Sequence, residues 1–230
     1  MQIISNNLSF QYPDSDTKVI NSLSFSMHGP GFNAVFGPSG VGKTSLARII
    51  AGSIITGQEG DIHTKGIKTI LYSYNMERLP GWSSIGTLLQ QVTPTGREAL
   101  LEELIELFEL QNIMDSPFTR ISLGQQNRIN LLRYLVQDFD LLIMDESLAN
   151  VDEKLRQNIL LHIKERFSDK MFLSISHNLM EVTTFCKEIL VLGTREESGG
   201  RILQGLDLQQ DAVLDKDRLD QSMLEVMNAC

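Results

Sequence analysis

The chain has 230 residues, 42% hydrophobic and 21% charged, a composition that supports a full globular core. Its net charge of −9 argues against nucleic acid as the main partner, because phosphate backbones select Lys/Arg patches. No apolar run approaches the ~18 residues of a spanning helix, and Met1-Gln2-Ile3-Ile4-Ser5 has no basic stretch leading into one, so neither a membrane span nor a signal peptide is expected. Cys186 and Cys230 show neither metal-ligand spacing nor a disulfide framework, and free thiols suit a reducing cytosol.

Residues 2–10 and 17–27 alternate apolar and polar, with Val19, Leu23 and Phe25 set among Asn21, Ser22, Ser24 and Ser26. With Pro13-Asp14-Ser15-Asp16 between them, they read as an antiparallel hairpin or small sheet, and Tyr12 sits at its first corner. Phe32-Asn33-Ala34-Val35-Phe36 reads as a short buried strand, and Ser45-Leu46-Ala47-Arg48-Ile49-Ile50-Ala51 as a helix ending at Gly52. Short strands are expected around Asp61-Ile62-His63 and Thr69-Ile70-Leu71-Tyr72. Pro80-Gly81 then breaks the chain. Residues 98–110 place Leu101, Leu104, Ile105 and Phe108 at helical spacing, with Glu98, Glu102, Glu103, Glu106 and Glu109 on a solvent-facing side. A second helix runs from Ser122 through Tyr134, so residues 76 to 135 read as a helical insertion. Leu141-Leu142-Ile143-Met144 has the unbroken apolar character of a buried parallel strand. Residues 152–167 read as a helix, and Met171-Phe172-Leu173-Ser174-Ile175 and Ile189-Leu190-Val191-Leu192 as strands. Residues 194–200 form a polar loop, and the tail over 207–228 reads as a helix packing through Leu214, Met223, Leu224 and Met227.

The chemistry gathers on Gly37-Pro38-Ser39-Gly40-Val41-Gly42-Lys43-Thr44, which satisfies G-x-x-x-x-G-K-[ST], the P-loop pattern. Glycines allow a tight turn whose N–H groups line a concavity for phosphate oxygens, closed by the partial positive charge of a helix N-terminus. The Lys43 ammonium can reach the β- and γ-phosphates, and the Thr44 hydroxyl can ligate Mg²⁺. A strand before the loop and a helix after it, Ser45 included, are the context such a site requires. Asp145-Glu146 directly follow an apolar strand, and carboxylates at the C-terminal end of a parallel strand face the crevice where ligands bind. There Asp145 can hold Mg²⁺ through water, and Glu146 can orient or deprotonate an attacking water.

With Ile121-Ser122-Leu123-Gly124-Gln125 added, the chain resembles the ATP-binding subunits of ABC transporters. The order of that family is aromatic residue, P-loop, glutamine loop, LSGGQ signature, Asp-Glu strand, Asp-containing loop and lone histidine. Tyr12, residues 37–44, Asn75, residues 121–125, Asp145-Glu146, Ala149-Asn150-Val151-Asp152 and His177 follow it over roughly residues 1–205. The resemblance implies an α/β P-loop NTPase core of RecA-like type, with an N-terminal antiparallel β-sheet and an inserted α-helical subdomain. The expected division is a core over 1–75 and 136–205, a helical subdomain over 76–135 and a C-terminal helix over 206–230. It further implies that Tyr12 stacks on adenine, and that Asn75 touches nucleotide and metal. Ser122 and the Gly124 N–H would contact the γ-phosphate of ATP held by a second copy. His177 would bond that phosphate and hold the water, and Asp152 would communicate across the dimer.

Three positions depart from the family. Asn75 stands in place of glutamine, Leu123 in place of the first signature glycine, and Ser147 in place of the proline after the glutamate. They point to a divergent and slow ATPase. Tyr74-Asn75-Met76-Glu77-Arg78-Leu79-Pro80-Gly81-Trp82 resembles the loop of the nitrate, sulfonate and taurine importer branch, and Trp82 either lines a socket for a partner or packs under the helical insertion. The implied partners are a second ATPase subunit, a transmembrane permease and an extracytoplasmic solute-binding protein, with ATP and Mg²⁺ as cofactors. The implied location is the cytoplasmic face of the membrane. A soluble ABC ATPase uncoupled from transport, or a slow regulatory module, is the alternative; the chain lacks the long coiled-coil insertion or second cassette usual in soluble members.

Overall fold

The fold was analysed in a computed structural model, which describes residues 1–55, 58–75, 77–79, 81, 83–193 and 200–230, leaving aside the Gln58 side chain. Met76, Pro80, Trp82 and most of the polar loop expected at 194–200 lie outside the described residues, and with Trp82 the expected socket.

Two sheets organise the chain. In the smaller, β1 (Gln2–Phe10) pairs antiparallel with β2 (Ile20–His28) on one side and β4 (Gln58–Lys65) on the other. The first pairing is the expected hairpin. A register shift between Ser5 and Leu8, with Asn7 at φ 50°, moves the inward face of β1 from positions 3 and 5 to positions 8 and 10. Ile3, Leu8 and Phe10 thereby all reach the core, beside Leu23, Phe25 and Met27 of β2.

In the larger sheet the order is β5-β6-β7-β3-β8-β9. Strands β5 (Ile70–Tyr74), β6 (Leu141–Asp145), β7 (Met171–Ile175), β3 (Gly31–Phe36) and β8 (Glu188–Val191) are parallel, and β9 (Arg201–Gln204) closes the edge antiparallel. Its central strands are buried on both faces, which is why their sequences read as apolar runs without alternation. Leu141 and Ile143 of β6, Met171, Leu173 and Ile175 of β7 and Leu190 of β8 turn toward the small sheet and α1 (Lys43–Ile50). Leu142, Met144, Phe172, Ile189 and Val191 turn the other way, into a core shared with the remaining helices. Phe172 anchors that second core, stacked on Phe32 with ring centroids 4.4 Å apart.

Between β5 and β6 lie α2 (Ile85–Val92), α3 (Glu98–Leu107) and α4 (Leu123–Leu135). Helix α2 is absent from the sequence expectations, because only Ile85 and Leu89 of it are buried and two positions make no periodic signal. Helix α3 stops short of the expected Leu110: Glu109 adopts φ 52°, which ends it. Its acidic side is not wholly solvated, since Glu103 bonds His162 (3.0 Å) and Arg166 (3.4 Å) of α5 (Glu153–Arg166). The short α6 (Leu179–Phe185) and β9 were not anticipated either. The tail is helical only as α7 (Lys216–Asn228). That helix packs through Leu219, Ser222 and Val226, so Leu224 and Met227, expected inside, are 59% and 60% exposed, while Leu214 and Met223 are half-buried.

Candidate functional site

Adjacent strands β6, β7 and β3 deliver their C-terminal ends to one edge of the sheet. The P-loop leaves β3, Asp145 ends β6 with Glu146 next to it, and His177 follows β7, so the sheet order alone gathers these residues. Gly42 caps α1 with φ 106°, a left-handed conformation that side chains other than glycine adopt at a cost. The Lys43 ammonium folds back over the loop, donating to the carbonyls of Gly37 (2.7 Å) and Pro38 (2.8 Å). Burial lowers its pKa, and the nearby Glu146 and Asp145 carboxylates oppose that shift. Ser39 and Gly40 lie exposed on the loop, Val41 packs half-buried against the small-sheet core, and Thr44 is exposed on the first turn of α1.

Ser45 is buried, with its hydroxyl 2.9 Å from that of Tyr12. The Tyr12 ring sits edge-on to Phe10 with centroids 4.7 Å apart. Beside it opens a cleft of about 390 Å³, bordered by Phe10, Pro13 and the Lys18–Glu59 ion pair (2.8 Å).

Asp145 is buried and accepts a hydrogen bond from the Tyr72 hydroxyl at 2.8 Å. Glu146 has φ 52°, a conformation costing a non-glycine residue about 1–2 kcal/mol. Its N–H donates to Ile175 O (2.9 Å), and its Oε1 lies 3.0 Å from His177 Nδ1. Strain of this kind is retained where surrounding structure fixes it. Here Ser147 supplies part of the fixing: its buried hydroxyl donates to Ser73 O and meets Ser73 Oγ, both at 3.0 Å. A side chain that bonds to β5 thus stiffens the turn where proline was expected. Behind Glu146 and His177 lies a cavity of about 230 Å³, walled in part by the Arg156–Glu181 ion pair (3.0 Å). Burial pushes the Glu181 carboxyl upward, against the pull of Arg156.

The signature segment forms the start of α4. Ser122 and Gln125 make a reciprocal capping box: Ser122 Oγ accepts from Gln125 N (3.3 Å), and Gln125 Oε1 accepts from Ser122 N (2.9 Å). Leu123 is largely exposed. Gly124 lies so close to the loop before α5 that a Cβ there would fall 2.3 Å from Asn150 O. Asp152 caps α5, accepting from Lys154 N (3.0 Å) and Leu155 N (3.2 Å). Among the described residues, no hydrogen bond joins Ser122, Leu123, Gly124 or Gln125 to Lys43, Thr44 or Asp145.

A profile of the ABC transporter family matches residues 20–149. The chain belongs to that family. It is 29% identical over 216 residues to the taurine import ATP-binding protein TauB of Pseudomonas entomophila, covering 87% of this chain and 82% of that one. It is 30% identical over 207 residues to the spermidine/putrescine import ATP-binding protein PotA of Protochlamydia amoebophila, covering 82% of this chain but only 55% of that one, so it spans about half of that relative's length. A solved structure of a bacterial Atm1-family ABC exporter with ATP bound superposes with a TM-score of 0.78 over 99% of this chain and 41% of that one, at 21% identity, a likeness of fold. The chain is thus an ABC ATPase: it binds ATP, and its enzymatic class is ATP hydrolysis.

Several polar partners in this ABC ATPase escaped the sequence reading. Tyr72, which holds Asp145, looks like one more apolar residue of an edge-side strand; burial and the Asp145 bond push its phenol well above the ordinary range. Asn75 donates its N–H to Asp145 O (2.9 Å), but its side-chain oxygen accepts from Asn127 Nδ2 (3.0 Å) on α4. The available signal was two asparagines, 127 and 130, on the buried side of an otherwise apolar helix. Among the described residues, no three His, Cys, Asp or Glu side chains converge on a point that could hold a metal ion.

Proposed function

We propose that this ABC ATPase is the ATP-hydrolysing subunit of an importer, acting as a head-to-tail dimer that drives a separate membrane permease. What carries the reading is the Glu146–His177 pair, 3.0 Å apart at the sheet edge that also bears the P-loop. The alignment with import ATP-binding proteins supports the direction of transport. In this reading Tyr12 and the cleft beside it take the base, a flat π-face that stacks without reading much base identity. The N–H groups of residues 37–45 cradle the phosphates, and Lys43 exchanges the carbonyls of Gly37 and Pro38 for phosphate oxygens. Thr44 and Asp145 are the residues that would hold Mg²⁺. One hydroxyl and one carboxylate suit an ion that takes its other ligands from phosphate and water, and no all-protein cage is needed. When bound, Mg²⁺ supplies charge neutralisation on the phosphates.

Glu146 accepts the proton of the attacking water. His177 lies 3.0 Å from Glu146 through Nδ1, and a ring N–H of His177 would donate to the γ-phosphate. Ser122, with the first turn of α4, and the Gly124 N–H face the ATP of the second copy. Asp152, at the start of α5, lies on the same dimer face. Asn75 contacts the metal shell only by turning from Asn127. The helical segment over 76–135 is then a subdomain inserted in a core of 1–75 and 136–205, with residues 206–230 as a C-terminal appendage. The dimer works at the cytoplasmic face of the membrane, beneath a permease that an extracytoplasmic solute-binding protein loads. Affinity purification of the full chain from native membranes tests this reading. Recovery of an integral-membrane subunit that stimulates ATP hydrolysis supports it; recovery from the soluble fraction alone, with turnover indifferent to membranes, refutes it.

A further inference from the structure

The loop leaving β5 is gripped by the signature helix at two points. At Asn75, the side-chain oxygen accepts from Asn127 Nδ2 at 3.0 Å, and the same nitrogen donates to Ala149 O at 2.7 Å. At Glu77, the backbone oxygen accepts from Asn130 Nδ2 (2.9 Å), and the carboxylate accepts from the Tyr134 hydroxyl (3.0 and 3.1 Å) and pairs with Arg133. Asn127, Asn130 and Tyr134 follow helical spacing, so one face of α4 supplies most of this grip. Near its start the same helix is pressed against Asn150 at Gly124. Helix α4 is therefore fastened to the loop beside one nucleotide site and to the segment between Glu146 and Asp152, and it opens at Ser122.

Asn127 is the crossing point. It is 2% exposed, and a primary amide nitrogen has two hydrogens, one for each of its two acceptors here. If Asn75 moves, either its bond to Asn127 breaks or α4 moves with it. We propose that Asn127 is a positioning residue that couples the two ATP sites of the dimer. Displacement of Asn75 by nucleotide in its own chain is carried through Asn127 to Ser122, Gly124 and the segment leading to Asp152, all of which serve the other site. The inference rests on the divided-site dimer proposed above.

The test uses the full chain with Mg-ATP. In the hydrolysis-deficient Glu146→Gln background, Asn127→Ala is expected to bind a fluorescent ATP analogue within about threefold of its parent, yet to need about tenfold more ATP to dimerise by light scattering. With Glu146 intact, kcat falls about tenfold, KM moves less than threefold and the Hill coefficient drops from about 2 toward 1. Asn75→Ala breaks the same bond from the half-buried loop, so it stands in if Asn127→Ala does not fold. The Asn75→Ala/Asn127→Ala pair should lose less than the product of the two single losses, because the variants share the Asn75–Asn127 link. Losses that multiply independently, or an unchanged Hill coefficient with kcat within about twofold of the parent, overturn the proposal. A Glu146→Gln parent that stays monomeric in saturating ATP sinks the dimer reading itself; a parent that dimerises while Asn127→Ala dimerises equally well sinks only the coupling role.

Discussion

Gly124→Ala separates two reasons for a glycine in the signature. One is contact with a nucleotide across the dimer, which a methyl group would obstruct only when nucleotide is present. The other is local: the position of a Cβ at residue 124 is 2.3 Å from Asn150 O, whereas ordinary contact begins near 3.4 Å, so the methyl is about 1 Å too close to a backbone atom. A backbone carbonyl cannot rotate aside as a side-chain tip can. The first turn of α4 must part from the segment that carries Asn150, straining the Asn127–Ala149 bond (2.7 Å) one turn further on. Overpacking of this kind costs about 1–3 kcal/mol. For a chain of this length each kcal/mol moves the unfolding midpoint by about 2–4 °C, so the midpoint should fall by roughly 2–12 °C without any nucleotide. Differential scanning calorimetry of parent and variant, each free of nucleotide, measures it. ATP turnover should fall as well, because Ser122 moves with the turn it caps. A variant within about 1 °C of the parent but inactive refutes the crowding argument and leaves only the nucleotide contact.

Other changes have equally definite outcomes. Glu146→Gln should lower turnover by about 10²-fold or more while ATP binding persists, because the amide keeps the shape and loses the base; turnover within about threefold of the parent, measured by phosphate release, removes Glu146 from the mechanism. Ser147→Ala deletes both 3.0 Å contacts with Ser73 and takes from the buried Ser73 hydroxyl its Ser147 partner, so equilibrium unfolding should show a loss of about 1–3 kcal/mol; no change would mean that the turn is fixed from elsewhere. Tyr72→Phe removes a donor from a buried carboxylate, which should cost about 1.5–3 kcal/mol of stability in urea titration, and an unchanged midpoint would show that Asp145 does not depend on it.

How far the sequence revealed this protein depended on where the partners of each residue lie. Strands β3, β6 and β7 were legible because both their faces are buried, and unbroken apolar runs such as Leu141-Leu142-Ile143-Met144 record that directly. The P-loop was legible because its pattern is local: each residue of it lies within one turn and the helix start. Helix α2 was not, with two buried residues in eight, nor was the turning outward of Leu224 and Met227, which depends on the rotation of α7 against α6. The contacts of Asp145 with Tyr72, Ser147 with Ser73 and Asn75 with Asn127 span 73, 74 and 52 residues. No short-range pattern encodes pairings at that separation; they exist only once β5, β6 and α4 are side by side.

Partners near and far in the sequence hold the residues of the candidate site at rest. Lys43 rests on two carbonyls, Asp145 on Tyr72, Asn75 on Asn127, and Ser122 and Asp152 on the ends of their helices. In the proposed mechanism each of these groups waits on a partner within the chain, and none relies on nucleotide to be held. A neutral hydrogen bond contributes about 1 kcal/mol net, so exchanging one for another costs little, whereas Lys43, whose bonds to the carbonyls are already charge-assisted, would gain the attraction of a full opposite charge at a phosphate. The exchange at Lys43 therefore favours the nucleotide on its own. That at Asn75 does not: a neutral amide would gain less from the metal shell than a charged group, and it would break a buried bond to do so. In the proposed mechanism ATP would offset that loss through its contacts with the P-loop, which would make the shorter side chain at position 75 a brake on closure rather than only a weaker ligand. Replacing Asn75 by glutamine restores the reach and should raise turnover, provided that Asn127 can still bond the longer amide. Steady-state hydrolysis by the Asn75→Gln variant decides it: a gain in turnover supports the brake, and a loss rejects it.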